Sequence, residues 1–376
     1  MQTKVSEVAT AQLSSYLGVP VRIGNVDVEW FNKLVLQDLY LEDQEGHVLF
    51  EANHVAAGFE IMPLFEKKFV FTTVRLFGFS LNLRKSAPDS PLNLRFVIDA
   101  FARKDTVRRK KEIDLRFNTV LIRRGHFSYH VDSEKTTPGK FNAKHIDIKN
   151  LSAKISLKAF NKDSVNAQVK RLSFEEESGF SLEKLSLSVI SNRDSAFIRD
   201  FEIRLPHTDL RIGQVHVDLS PVDSLPDLLT DAPIHLDIDP SHVCLKDLSS
   251  FVPAFRNFVD TVEFSAETNG YINNFATERL TLKYSDKMLF VGRMELKNII
   301  HPQEAYLFGK VDKLYLSTEG ISDLARNFND HPVRLPEPIV RLGTVNFTGE
   351  ISGFFDNLVA FGRLSSSIGS LQTDLI

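Results

Sequence analysis

Acid–base, nucleophilic or metal chemistry in this sequence would have to come from eleven histidines, a single cysteine and the carboxylates beside them. The tightest histidine pair is His126 and His130 in GHFSYH. On a strand, residues four apart share a face, but a rise of about 3.3 Å per residue puts their Cα atoms roughly 13 Å apart, too far to share one ion. They are expected on a solvent face. His145 and Asp147 in AKHIDIKN offer an imidazole and a carboxylate, with neither a nucleophile elbow nor a metal motif beside them. Asp38, Glu42 and Asp43 form an acidic group where strands are expected to turn. Cys244, among apolar neighbours in SHVCLKDL, fits a small buried hydrophobe, and a lone cysteine excludes an intrachain disulfide and any multi-cysteine metal site. RIGNVDV and RLFGFSLN lack the paired glycines and following helix of a phosphate loop. No enzyme constellation emerges, so no catalytic residue, metal or cofactor is expected.

The elements that carry these residues follow from composition and periodicity. Thirty Phe against one Trp, seven Tyr and four Met, in a chain 43% hydrophobic and 25% charged, favours strands in a folded, β-rich protein. A net charge of -4 from 45 basic and 49 acidic residues gives no field for nucleic acid. The local exception, ARKDTVRRKKEIDLR, fits a solvated basic linker over 103–114. No apolar run of transmembrane length occurs, and Met1 to Ile23 lacks the core of a signal peptide.

Residues 1–18 place Val5, Val8, Leu13, Tyr16 and Leu17 at helical spacing, and Gly18 with Pro20 stops the helix. In VPVRIGNVDVEW, Val26, Val28 and Trp30 then alternate with polar residues, which gives a strand with one oily face. Short alternating runs follow as a meander, with Val55, Ala57, Phe59 and Ile61 continuing that face. Phe69 and Phe71 are odd, Val74 and Leu76 even, and Phe79, Leu81 and Leu83 odd again. Each change of parity needs an extra residue, at Thr72-Thr73 and at Phe77-Gly78, if one face is to stay buried. Helices are expected in PLNLRFVIDAFAR and KDLSSFVPAFRNFVD, with shorter ones in SPVDSLPDLLTD and EGISDLARNFND. The C-terminal alternation stops at Ile376 in mid-pattern, so the chain is expected to continue in its native context.

The stretch Leu13 to Lys85 resembles the N-terminal region of the AsmA-like superfamily, and looks closest to its TamB-type branch in Bacteroidota-like bacteria. The residues that carry the likeness are Leu17-Gly18, Val21-Arg22-Ile23-Gly24, Leu36-Gln37-Asp38-Leu39 and the run from Asp43 to Leu49. Pro91 to Phe101 and Phe347 to Leu375 extend it.

The resemblance implies a mainly β protein whose long, curled, antiparallel-rich sheet forms an open apolar trough (a β-taco), with an N-terminal helix and a few short amphipathic helices. It implies four parts: residues 1–18 as a helix following a missing membrane anchor, 19–102 as the AsmA-like β region, 103–114 as the linker and 115–376 as the continuing trough. By the same resemblance the protein is a non-enzymatic lipid bridge. It would be held in the periplasm by an inner-membrane anchor that precedes this chain, would have phospholipid as its cargo, and would meet an Omp85-family outer-membrane partner through a region beyond Ile376.

The groove lining would then comprise Val26, Val28, Trp30, Val55, Ala57, Phe59, Ile61, Phe69, Phe71, Val74, Leu76, Phe79, Leu81 and Leu83. A groove matters because each exposed methylene costs about 0.8 kcal/mol, or roughly 13 kcal/mol for a 16-carbon chain. Two readings compete with it. One is a closed β-sandwich with faces about 10 Å apart. The other is a scaffold that offers its sheet edges to outer-membrane proteins by strand addition.

Overall fold

A computed structural model describes residues 2–29, 32–60, 71–102, 117–160, 164–220, 231–258, 260–301, 303–327 and 335–373. The fold is mainly β: strand accounts for most of the described residues, and their eighteen strands belong to a sheet that does not close into a barrel. Two compact units divide the chain, residues 1–161 with 165–185, and residues 162–164 with 186–376. Strand β8 (Ser181–Ser191) carries the division.

In the first unit, strands β1 (Val21–Glu29), β2 (Lys33–Glu42), β3 (Val48–Phe59), β4 (Phe71–Lys85), β5 (Phe117–Val131), β6 (His145–Phe160) and β7 (Val165–Glu176) pair in chain order. Five of the six pairings are antiparallel. The β4–β5 pairing is parallel, and such a pair needs a long crossover. That crossover contains helix α2 (Arg95–Ala102), so one connection departs from the expected meander. The linker reading of 103–114 falls outside the described residues.

Helix α1 (Gln2–Leu17) ends where Gly18 turns to φ 72° and its N–H donates to the Ser14 carbonyl at 2.8 Å. Its Ala9, Leu13 and Leu17 cover Val21, Ile23 and Val26 of β1 together with leucines of β2. The Tyr16 hydroxyl donates to the Ala100 carbonyl at 2.7 Å, tying α1 to α2.

A crease crosses β1 to β6. Gly24 faces Asp38, and the strand registers then set Asp38 against Asn53, Asn53 against Gly78, and Gly78 against Arg124, with Asn150 next in β6. Asp38, Gly78, Arg124 and Asn150 take left-handed conformations with φ of 50°, 57°, 51° and 55°. A left-handed residue inside a strand reverses the in–out alternation. In β1, where Gly24 sits at the crease, odd-numbered Val21 and Ile23 share one apolar cluster with even-numbered Val26. In β4 the parity changes fall at Gly78 and at Thr72, the residue skipped between the pairs Gly58–Thr73 and Phe59–Phe71. Both are the positions expected from the alternation.

In the second unit, β9 (Ser195–Leu205), β10 (Thr208–Asp218), β11 (Ile234–Val243), β12 (Val262–Gly270), β13 (Asn274–Tyr284), β14 (Met288–Lys297), β15 (Tyr306–Leu316), β16 (Val345–Phe354), β17 (Asn357–Ser366) and β18 (Gly369–Thr373) pair antiparallel in order. β10 spends both edges, on β9 and β11. Helices α3 (Thr318–Asn327) and α4 (Glu337–Leu342) lie between β15 and β16. The helix expected in KDLSSFVPAFRNFVD is instead two short 3-10 turns, Leu245–Leu248 and Pro253–Asn257. Pro253 cannot donate within a continuous helix, so it starts the second turn. The α3 helix matches EGISDLARNFND, while SPVDSLPDLLTD falls largely outside the described residues.

Candidate functional site

The chemistry-bearing side chains find partners across strands. Ser80 Oγ lies 3.0 Å from His126 Nδ1, and His126 Nε2 lies 3.2 Å from both carboxylate oxygens of Asp147. His130 Nδ1 meets His145 Nδ1 at 3.2 Å, while His145 Nε2 donates to the Glu134 carbonyl at 3.0 Å. Asp147 thus belongs with His126 and not with its sequence neighbour His145. Residue types in the order Ser, His, Asp could relay a proton, but β4 is laddered on both edges at Ser80, to Glu51 and to His126. That pairing spends the backbone N–H groups an oxyanion hole would need.

Among the described residues, His207, Cys244 and Asp247 are the group whose donor atoms lie close enough for a metal ion. Those atoms are already engaged: His207 Nδ1 lies 2.9 Å from Asp247 Oδ1, and Cys244 Sγ donates to the Phe258 carbonyl at 3.4 Å. Burial pushes the Cys244 thiol pKa up, which disfavours the thiolate a metal needs. The acidic group at the first turn is structural. Asp43 accepts from the backbone N–H groups of Glu45 and His47, Asp38 sits at the crease, and Glu42 accepts from Tyr40.

Of the expected lining residues, those whose side chains are described fall on one sheet face. Val26, Leu36, Val55, Leu76, Ile122, Ala153 and Leu172 form a row across seven strands, and Val28, Leu34, Ala57, Val74, Val120, Ile155 and Val169 form the next. Beyond the crease, Leu41 pairs with Phe50 and Phe50 with Leu81, Leu39 with Ala52 and Ala52 with Phe79, while Leu83 pairs with Tyr129. The Phe50 and Phe79 rings stack with centroids 6.1 Å apart. Phe59 pairs with Phe71 past the Thr72 bulge. Trp30, Ile61 and Phe69 lie outside the described residues, and of Phe71 only the strand position is described. The cover over Val26 is helix α1, whereas Val28 remains 56% exposed.

An apolar cavity lies elsewhere, in the second unit, and measures about 470 Å³. Three cross-strand rows build its floor: Ile234–Gly270–Phe275–Leu296, Leu236–Thr268–Thr277–Met294, and Ile238–Ala266–Leu280. Tyr271, Ile272 and Ile299 join the lining from the ends of these strands. Thr277 spends its hydroxyl on the backbone of Met294, donating to the carbonyl at 3.1 Å and accepting the N–H at 3.0 Å. A volume of this size and an apolar lining are the usual attributes of a small-ligand site. None of these residues is in the predicted set, which stops at Leu83, although the alternation of Ile234, Leu236 and Ile238 is visible in PIHLDID.

No family model, curated protein or solved structure matches the chain. Among the described residues, no helix is long and apolar enough to cross a membrane.

Proposed function

We propose that this protein shields phospholipid acyl chains on an apolar sheet face, as a non-enzymatic lipid-conducting protein of the AsmA-like kind. In that setting it would act in the periplasm between inner and outer membranes and support outer-membrane biogenesis. The observation that carries the reading is the cavity over β11 to β14, where three largely apolar cross-strand rows face a volume that no part of the described chain fills.

Leaving one 16-carbon chain in water costs roughly 13 kcal/mol, so a floor that removes most of that contact needs no catalytic group and no precise polar recognition. The apolar rows of the first unit and the spent donors of the histidine clusters both fit such a role. The apolar face of β1 is closed by α1, so acyl contact in the first unit begins beyond it.

The test is lipid loading and transfer. Leu236→Asp and Leu296→Asp place a charge on a half-buried floor position without removing a fully buried side chain. Both variants are expected to lose at least tenfold in phospholipid retained through purification and in transfer of a fluorescent phospholipid between vesicles. Wild-type retention and transfer in both would overturn the reading. A scaffold acting through backbone edges would be indifferent to the same two changes.

A further inference from the structure

The opposite face of β4 to β7 carries a different surface. Arg75, Leu121, Lys154 and Arg171 stand in one cross-strand row, with Phe77 paired to Arg123 and Ser152 to Ser173 in the neighbouring row. A cavity of about 790 Å³ opens there, lined by Arg123, Arg124, Lys154, Arg171, Ser152 and Ser173 around Phe77 and Leu121. No carboxylate lines it.

The bland alternative is a solvated patch of surface cations, and three observations weigh against it. First, Lys154 is directly opposite Arg171, an arrangement of like charges that sheets ordinarily avoid. Arg293 also stands opposite Lys310, but there the Glu278 carboxylate lies 3.9 Å from Arg293, and Arg279 and Lys283 face Glu267 and Glu263; among the described residues, Lys154 and Arg171 have no such carboxylate beside them. Second, among the described residues, Arg123, Arg124, Lys154 and Arg171 form no ion pair, in a chain whose net charge is -4. Third, the crease elsewhere uses Gly, Asn and Asp, which tolerate the left-handed region, but at this cavity it uses Arg124 at φ 51°. A strained non-glycine residue held at a cavity points to function there.

We infer that this cavity binds a phosphate-bearing anion. Guanidinium groups present paired N–H donors that match phosphate oxygens, a lysine adds a point charge, and serine hydroxyls donate to the remaining oxygens. The Arg123 guanidinium, 5.9 Å from the Phe77 ring centroid, is already partly ordered by that ring. A bound phosphate removes the Lys154–Arg171 repulsion and supplies the missing counter-charge. The site is independent of the apolar cavity, and either can fail without the other.

The phosphate can come from a soluble compound or from a lipid headgroup, and the two arms of one experiment separate them. The full chain is titrated with inorganic pyrophosphate by calorimetry, and floated with phosphatidylcholine vesicles with and without phosphatidylglycerol. Binding in either arm is expected, and it should weaken at least tenfold in the Arg123→Gln/Arg171→Gln double variant but not in Arg279→Gln. Binding to pyrophosphate alone assigns a soluble ligand, binding to phosphatidylglycerol vesicles alone assigns a headgroup, and binding to both assigns the phosphate itself. Failure of both arms, or a double variant that binds like wild type, overturns the proposal. The substituted side chains are exposed, so folding is expected to survive, and an unchanged circular dichroism melt checks this.

Discussion

Gly78 in β4 lies against Asn53 in β3, so close that a Cβ at Gly78 would stand 2.7 Å from Asn53 Nδ2. At φ 57°, Gly78 also occupies a conformation that costs an L-residue about 1–2 kcal/mol. The two constraints coincide where the crease reverses the alternation of β4. Gly78→Ala is therefore expected to lower stability by about 2 kcal/mol, read as a shift in the urea midpoint. Gly46→Ala, at φ 83° with open space around it, should lose about 1 kcal/mol from strain alone. Equal losses at the two sites would show that the crease contact contributes nothing.

Asp43 is 3% exposed. Burial alone would raise its pKa, but Asn93 donating at 3.0 Å and the backbone N–H groups of His47 and Glu45, each at 2.9 Å, outweigh it and hold the carboxyl below its ordinary value. A depressed folded-state pKa contributes stability above the unfolded value, about 3.9, and that stability is lost as pH falls through the folded value. Asp43→Asn is expected to cost about 2 kcal/mol at neutral pH, with the gap to wild type closing below pH about 4. A gap independent of pH would contradict this.

Much of the architecture is legible in the residues, because strand alternation has a period of two and any break in it must be absorbed locally. Thr72 and Gly78 could be located in this way, as could the one-faced rows built on Val26, Val55 and Val74. The partners of those rows could not. Asp147 meets His126, and Ser80 meets His126 across 46 positions, only because strand registers bring them together. Sequence spacing carries no information about register between strands that are distant in the chain. The apolar cavity is not legible in the sequence for a related reason: Thr277 is polar by type, and only the fold sets its hydroxyl on the Met294 backbone. KDLSSFVPAFRNFVD has helical spacing, and Pro253 decided against a continuous helix.

Tyr284 is 6% exposed, and its hydroxyl donates to Asp260 at 2.6 Å. Burial first, and then the Asp260 hydrogen bond and charge, push the phenol up to about 12. A raised folded-state pKa contributes stability that is complete below the unfolded value, about 10, and is lost as pH rises through about 12. One tyrosine should therefore ionise late in an ultraviolet titration of the folded chain, and Tyr284→Phe should remove that late phase and cost about 2 kcal/mol at neutral pH. Retention of the late phase in the variant would assign it to another tyrosine.

Ile23 is 8% exposed between α1 and β2. Truncating a buried isoleucine to alanine costs about 2–4 kcal/mol, and here the loss falls on the contact that holds α1 to the sheet. Hydrogen exchange in Ile23→Ala should show faster exchange over α1 with β11 to β14 unchanged. Uniform protection across α1 would show that the Tyr16–Ala100 hydrogen bond suffices to dock the helix.

The central claim is that acyl chains occupy the floor built by Leu236, Phe275 and Leu296. Mass spectrometry of lipid extracted from the purified chain, set beside the Leu236→Asp and Leu296→Asp variants, tests it most directly. Phospholipid retained by the wild-type chain and at least tenfold less in both variants is the expected result; an apo wild-type chain, or equal lipid in all three, would contradict it.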